Sequence, residues 1–344
     1  MAYTDIDKPS DYFNTKLYTG DGTDGRGITG VGFQPDWCWF KARSTAYENQ
    51  VYDVVRGATK RLVTNDNTAE GTQTNGLQSF DSDGFTVGNA NGTNVNAVTY
   101  ASWNWLASNS TASNTDGSIT STVSANTTSG FSIVKYTGSG ANATVGHGIG
   151  VAPKMVIIKR LENATHWLVG GGNIGWTKNL YLSTTSAEQT ANHFQDQSPS
   201  SSVVYMTNDG ALNNSSEDYI MYCFAEKKGF SKFGSYTGNG NADGTFIYTG
   251  FKPAWFLFKK TDSLGSWIIK DNKRLGYNGI VPHLQANTSD TENTDGWSEV
   301  DFLSNGIKLR NADSAMNGSG VSFIYMAFAE NPFVTSTGIP TTAR

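Results

Sequence analysis

One pattern of strand, turn and strand comes round three times in this chain of 344 residues, and that repeat limits what the chain can fold into. Tyr18-Thr19-Gly20, Tyr136-Thr137-Gly138 and Tyr236-Thr237-Gly238 each precede a loop rich in Gly, Asn or Asp. A Pro and a hydrophobic run ending in Lys follow: Pro35 to Lys41, Pro153 to Lys159 and Pro253 to Lys259. The Tyr and the Pro recur at the same offsets, 118 and then 100 residues (136 − 18 and 236 − 136), so no gap separates the two motifs. Each copy closes on a second apolar run: Tyr100 to Trp105, Tyr219 to Glu226 and Phe323 to Glu330.

Between these landmarks the segments are short and β-branched or aromatic. Asp83-Gly84, Asp209-Gly210 and Asn305-Gly306 supply the φ > 0 residues that join antiparallel strands, which predicts one hairpin at the same place in each copy. No amphipathic helical stretch is found. The expected fold is all-β: three tandem related β-sandwich modules, of jelly-roll or lectin-like type. The Pro-initiated strand is apolar on both alternating faces. Trp37/Met155/Trp255 and Trp39/Ile157/Leu257 lie on one face and Cys38/Val156/Phe256 and Phe40/Ile158/Phe258 on the other, so it should be central and covered on both sides. The division that follows is an arm over 1–16, modules over 17–112, 131–229 and 230–330, a Ser/Thr/Asn linker over 113–130 with one possible strand from Ser118 to Val123, and a tail over 331–344. Three such modules permit either a linear stack or a ring.

Composition excludes several function classes. With 25 basic and 30 acidic side chains the formal charge is −5, which leaves no surplus to neutralise phosphates or anionic lipid. No run of about 18 apolar residues is present, and the first residues carry no basic, apolar leader pattern, so synthesis in a cytoplasm without membrane insertion is expected. The two cysteines, Cys38 and Cys223, fall in hydrophobic strands of different copies and read as free, buried thiols.

Chemistry-bearing patterns are sparse. His147, His166, His193 and His283 show no metal-ligand spacing, no nucleophile elbow occurs, and Gly146-His147-Gly148-Ile149-Gly150 runs into Pro153 and a strand, where a phosphate loop needs a helix. Neither an enzyme nor a cofactor is implied. Asp21, Asp24 and Asp243 sit on tight loops whose oxygens suit calcium, but the same residues are what turns demand. Glu226 and Glu330 end equivalent strands in separate copies, and that placement reads as structural. Most tryptophans, including Trp167 and Trp267 fourteen residues after their Pro with Tyr52-Asp53 as the first-copy counterpart, read as core. The aromatics outside the repeated register, Tyr47, Trp176, Tyr181, Tyr277 and Trp297, are the candidates for ligand or host contact, because flat rings stack on sugars and anchor interfaces.

Tyr18 to Lys41, Tyr52 to Gly57, Ser79 to Thr86 and Phe131 to Lys159 resemble a β-module found, often in tandem, in tail-fibre-like and virion surface proteins of marine tailed bacteriophages. The resemblance is looser in the third copy, which lacks the Gly-His-Gly turn. It implies a non-enzymatic structural protein on the virion surface, of tail-fibre, knob or capsid or tail decoration type, acting in host adhesion or particle stabilisation. Its partners would be other virion proteins, copies of itself in a homo-oligomer, and a host surface glycan, with no nucleic acid. A carbohydrate-binding protein or a depolymerase of host polysaccharide is the alternative.

Overall fold

The computed structural model describes residues 3–274 and 278–341. These residues form antiparallel sheets, with only two three-residue 3-10 turns and no α-helix among them. Each copy of the repeat makes one large and one small sheet. In the first, the large sheet runs Phe13–Thr19, Thr99–Trp105, Trp37–Ala42, Gln50–Asp53, Lys60–Val63 and Gly71–Thr72, and the small one Arg26–Thr29, Gly84–Val87 and Leu77–Asp81. The second and third large sheets share the middle of that order: Phe131–Thr137, Asp218–Phe224, Met155–Arg160 and Leu168–Gly171, then Ser231–Thr237, Ser322–Pro332, Phe251–Lys260 and Ile268–Asp271. The all-β expectation is met, and the Pro-initiated strand is central in all three sheets.

Three details differ from the sequence reading. The first strand begins at Phe13, inside the expected arm, because Phe13 pairs with Trp105 and its ring enters the core. The 113–130 segment is not a free linker: Ala112–Asn114 and Ser121–Asn126 extend the second large sheet, the latter pairing with Phe131–Thr137. Finally, Asp83-Gly84 and Asn305-Gly306 do turn hairpins, but Asp209-Gly210 does not. It follows Val203–Met206 and leads instead to Asn213, whose amide holds the loop after Tyr136-Thr137-Gly138 through the Ala141 carbonyl and the Ser139 N–H.

The alternating faces of the central strands sort as expected, and this sets the packing. Cys38 and Phe40, Val156 and Ile158, and Phe256 and Phe258 face their own small sheets, giving three separate cores. The opposite faces all meet in a fourth core shared by the three copies, built from Trp37, Trp39, Trp103, Trp105, Tyr222, Phe224, Trp255 and Phe328, among others. Trp37 stacks on Tyr222 with centroids 4.6 Å apart, Trp105 meets Trp255 edge-on at 5.6 Å, and Phe224 meets Phe328 at 6.3 Å, so every pair of copies is in aromatic contact. Fully burying such a side chain contributes about 1.5–3 kcal/mol. No copy could cover this face alone.

Equivalent polar groups close the three copies into a ring. Nε1 of Trp167 donates to the Val63 carbonyl at 2.7 Å and Nε1 of Trp267 to the Tyr181 carbonyl at 2.9 Å. The first-copy counterpart is Asn49, four residues before Asp53 as Trp167 is before Gly171, and not the expected Tyr52-Asp53. Its Nδ2 donates to the Gln285 and Ala286 carbonyls at 2.8 and 2.9 Å. Backbone bonds repeat the same cycle, from Glu70 N–H to Leu161, Glu188 N–H to Thr261 and Glu292 N–H to Arg43. The second copy therefore bonds to the first, the third to the second, and the first to the third. A linear row would leave one of these junctions open.

Beneath the junctions the copies are matched in polarity. Asp53 pairs with Arg56 at 2.6 Å and Asp271 with Arg274 at 2.7 Å, all fully buried. A neighbouring copy donates to each carboxylate: Tyr222 Oη to Asp53 at 2.7 Å and Trp103 Nε1 to Asp271 at 3.1 Å. In the second copy the corresponding positions are Gly171 and Ile174, and the residue at the register of Tyr222 and Trp103 is Met326, which has nothing to donate. Buried charge is present only where a partner is supplied.

Candidate binding site

Most of the titratable groups that could do chemistry are committed to the scaffold. The strand-ending lysines Lys41, Lys159 and Lys259 are buried and point across the ring junctions to the carbonyls of Thr288, Asn67 and Thr185 at 3.2, 3.4 and 3.4 Å. Loss of hydration pushes them down to about 7, 8 and 8. Burial also drives up the thiols of Cys38 and Cys223. Among the described residues no three His, Cys, Asp or Glu side chains converge as a metal site. Asp21 pairs with Arg26 at 3.3 Å and Asp243 with Lys308 at 2.7 Å, while Asp24 accepts from Gln78 at 2.8 Å, so each calcium candidate has a local protein partner.

One chain of groups resembles a nucleophile and its base. Lys270 Nζ lies 2.8 Å from Ser298 Oγ, which lies 2.8 Å from His283 Nδ1. Desolvation holds Lys270 at about 6 and His283 at about 3. Ser298 is wholly buried, however, and Lys270 also donates to the Ile280 and Val281 carbonyls. No substrate atom can reach that hydroxyl; the chain of bonds ties residues 278–298 onto the third sheet.

The aromatics singled out from sequence do not assemble into a site. Trp176 is buried in the second copy's own core, edge-on to Phe194 at 5.2 Å, so it is a packing residue. Tyr181 is half-buried against the same core, and its carbonyl receives Trp267. Trp297 is half-buried, 4.5 Å from the His283 ring. Tyr47 is half-buried beside Tyr100, and its carbonyl accepts from Lys41. Tyr277 lies outside the described residues.

Exposed aromatic surface collects elsewhere. Tyr3 and Tyr248 are each 61% exposed and Phe333 is 40% exposed, in a protein that buries every tryptophan but the half-buried Trp297. These three line one groove of about 280 Å³, with Glu226, Lys228 and Lys232 on its walls. Lys232 bonds Glu226 at 2.7 Å, and Lys228 Nζ lies 5.9 Å from the Tyr3 ring centre. The groove is held in shape. Thr4 Oγ1 and the Asp5 N–H both donate to the Lys228 carbonyl, at 2.8 and 3.0 Å, and Ser336 N–H donates to Asp7 at 2.6 Å, pinning arm to tail. Gly229 stands at φ +79° with Thr4 Oγ1 only 1.9 Å from where a Cβ would be, so no larger residue fits there.

The groove joins the arm, the tail and the junction after the second copy to two strands of the third copy, Ser231–Thr237 and Phe246–Tyr248. Tyr248 faces Gly306 across its ladder, where the first copy places Thr29 opposite Gly84. One signal was available in the sequence: Tyr248-Thr249-Gly250 is a fourth Tyr-Thr-Gly, out of register with the other three.

A single family match runs over residues 8–332, through all three copies. The chain belongs to the family described as Domain of unknown function (DUF7483). The family's unit is thus the whole ring, in keeping with a core that no single copy completes. No curated protein and no solved structure matches the chain.

Proposed function

We propose that this DUF7483 chain is a non-enzymatic structural and adhesive protein displayed on the surface of a bacteriophage particle, in the manner of a tail-fibre knob or a decoration protein. The observation that carries the reading is the cyclic closure of three homologous sheet pairs on one aromatic core. Such a closure makes a stiff body whose loops are free to vary, and loops on a rigid scaffold are where recognition concentrates. Its internal three-fold pattern suits a symmetric seat among other virion proteins, and its buried Lys41, Lys159, Lys259 and Lys270 and its two thiols serve packing. The groove of Tyr3, Tyr248 and Phe333 is the surface it offers to a partner.

The test is proteomic and direct. Purified particles from the producing phage should contain the chain, and antibodies against it should decorate intact particles in electron micrographs. Complete, infectious particles lacking the chain, or shortening of host surface polysaccharide by the purified protein, would overturn the proposal.

A further inference from the structure

We propose that the groove bounded by Tyr3, Tyr248 and Phe333 is a saccharide-binding site that takes a hexopyranose chain by ring stacking. The inference rests on the surface-protein reading and supplies its ligand. Three features carry it.

The first is the chemistry of the walls. Tyr and Phe rings present flat apolar faces to the C–H face of a pyranose, while the Glu226–Lys232 pair sets a carboxylate acceptor beside an ammonium donor, as vicinal hydroxyls require. A purely apolar partner would leave that charged pair desolvated without compensation. The second is preorganisation: Tyr3 belongs to an arm bonded on both sides of Lys228, since Lys228 N–H donates to Asp5 Oδ2 at 3.1 Å and Lys228 C=O accepts from Thr4 and Asp5. Little ordering entropy remains to be lost on binding. The third is uniqueness within the molecule. Tyr3, Phe246, Tyr248 and Phe333 are the large aromatics exposed among the described residues, three of them line this groove, and Phe246 sits two residues from Tyr248 on the same strand. Burial was available to such rings throughout the repeated scaffold; here arm and tail bring Tyr3 and Phe333 beside the exposed Tyr248 and leave all three in water.

The experiment applies the labelled full-length protein to an array of immobilised oligosaccharides built on glucose, galactose, N-acetylglucosamine and glucuronic acid. Tyr248→Ala and Phe333→Ala are assayed beside it, with Leu264→Ala, an exposed apolar change outside the groove, as control. Saturable binding to at least one series is expected, weakened roughly tenfold, or about 1.4 kcal/mol, by each groove variant and unchanged by the control. The acidic and neutral arms tell whether Lys228 and Lys232 favour a uronate. Absence of binding across the array, or binding that Tyr248→Ala leaves intact, would overturn the inference. So would a change of sedimentation in Tyr248→Ala without any array signal, which would assign the groove to a second copy of the chain. None of these outcomes bears on whether the protein is found on particles, so the two readings fail separately.

Discussion

Replacing Lys159 with Met isolates the electrostatic cost of closing the ring. Lys159 is fully buried, and its ammonium donates to the carbonyls of Asn67, Arg160 and Asn163. Desolvation lowers it from 10.5 to about 8. At about 1.36 kcal/mol per unit, holding the charge inside costs about 3 kcal/mol. The sign follows from proton counting. Below about pH 8 both folded and unfolded chains hold the proton, and the whole cost is felt. Between about 8 and 10.5 only the unfolded chain holds it, so stability rises with pH by about 1.4 kcal/mol per unit for this one lysine. Lys41, at about 7, and Lys259, at about 8, act in the same direction. The raised thiols of Cys38 and Cys223 act oppositely above about pH 8.5, and the raised hydroxyls of the buried Tyr136 and Tyr236 above about pH 10, which leaves the lysines ahead in number across the lower window. Urea unfolding at about pH 7.5, 8.5 and 9.5 reads the slope. The native protein should gain stability across this window, and Lys159→Met should gain about 1.4 kcal/mol less per unit. Its stability at neutral pH mixes relief of the charge with three abandoned carbonyls, so the slope is the decisive quantity. Equal slopes, or a native stability that falls with pH, would refute the reasoning.

Further expectations come from the same packing. Asp53→Ala leaves Arg56 and the Tyr222 hydroxyl without their shared partner and should cost about 3–5 kcal/mol in urea unfolding; the combination Asp53→Gly, Arg56→Ile and Tyr222→Met, which copies the apolar junction of Gly171, Ile174 and Met326, should recover much of that loss. Because one core joins the copies, calorimetry should record a single cooperative unfolding transition, where three independent modules would give resolved steps. Cys38 and Cys223, buried and with raised thiol ionisation, should resist an aromatic disulfide reagent in the native state and react on unfolding, which absorbance at the released thiolate would follow. Small-angle scattering should return a compact profile, since an elongated one is incompatible with contact between the first and third copies.

The candidate site was less legible than the scaffold. Alternation along Trp37 to Phe40 and its two counterparts assigns each side chain to a face, because strand geometry fixes a period of two. Standing outside the repeated register does not mark an aromatic as functional: Trp176 fills space beside Gly170, whose missing side chain leaves room for Phe194 and Trp176 together. Tyr3 and Phe333 lie 330 residues apart (333 − 3), and no local pattern links an arm to a tail. They meet because Asp7 and Ser336 are bonded and because the third copy closes back on the first.

Taken alone, the sequence determined the strand content, the three-fold recurrence, the central position of the Pro-initiated strand and its two apolar faces, since all of these follow from local periodicity and turn chemistry. It pointed to three tandem modules, because a strand apolar on both sides says that each face is covered and not by what. Tertiary structure decided that one face belongs to the copy itself and the other to all three, and that Asn49, Trp167 and Trp267 reach round a ring. The physical reason is that hydrophobic burial is non-directional: any apolar face will serve another, and only the complete arrangement, with its matched donors and buried carboxylates, selects one closure.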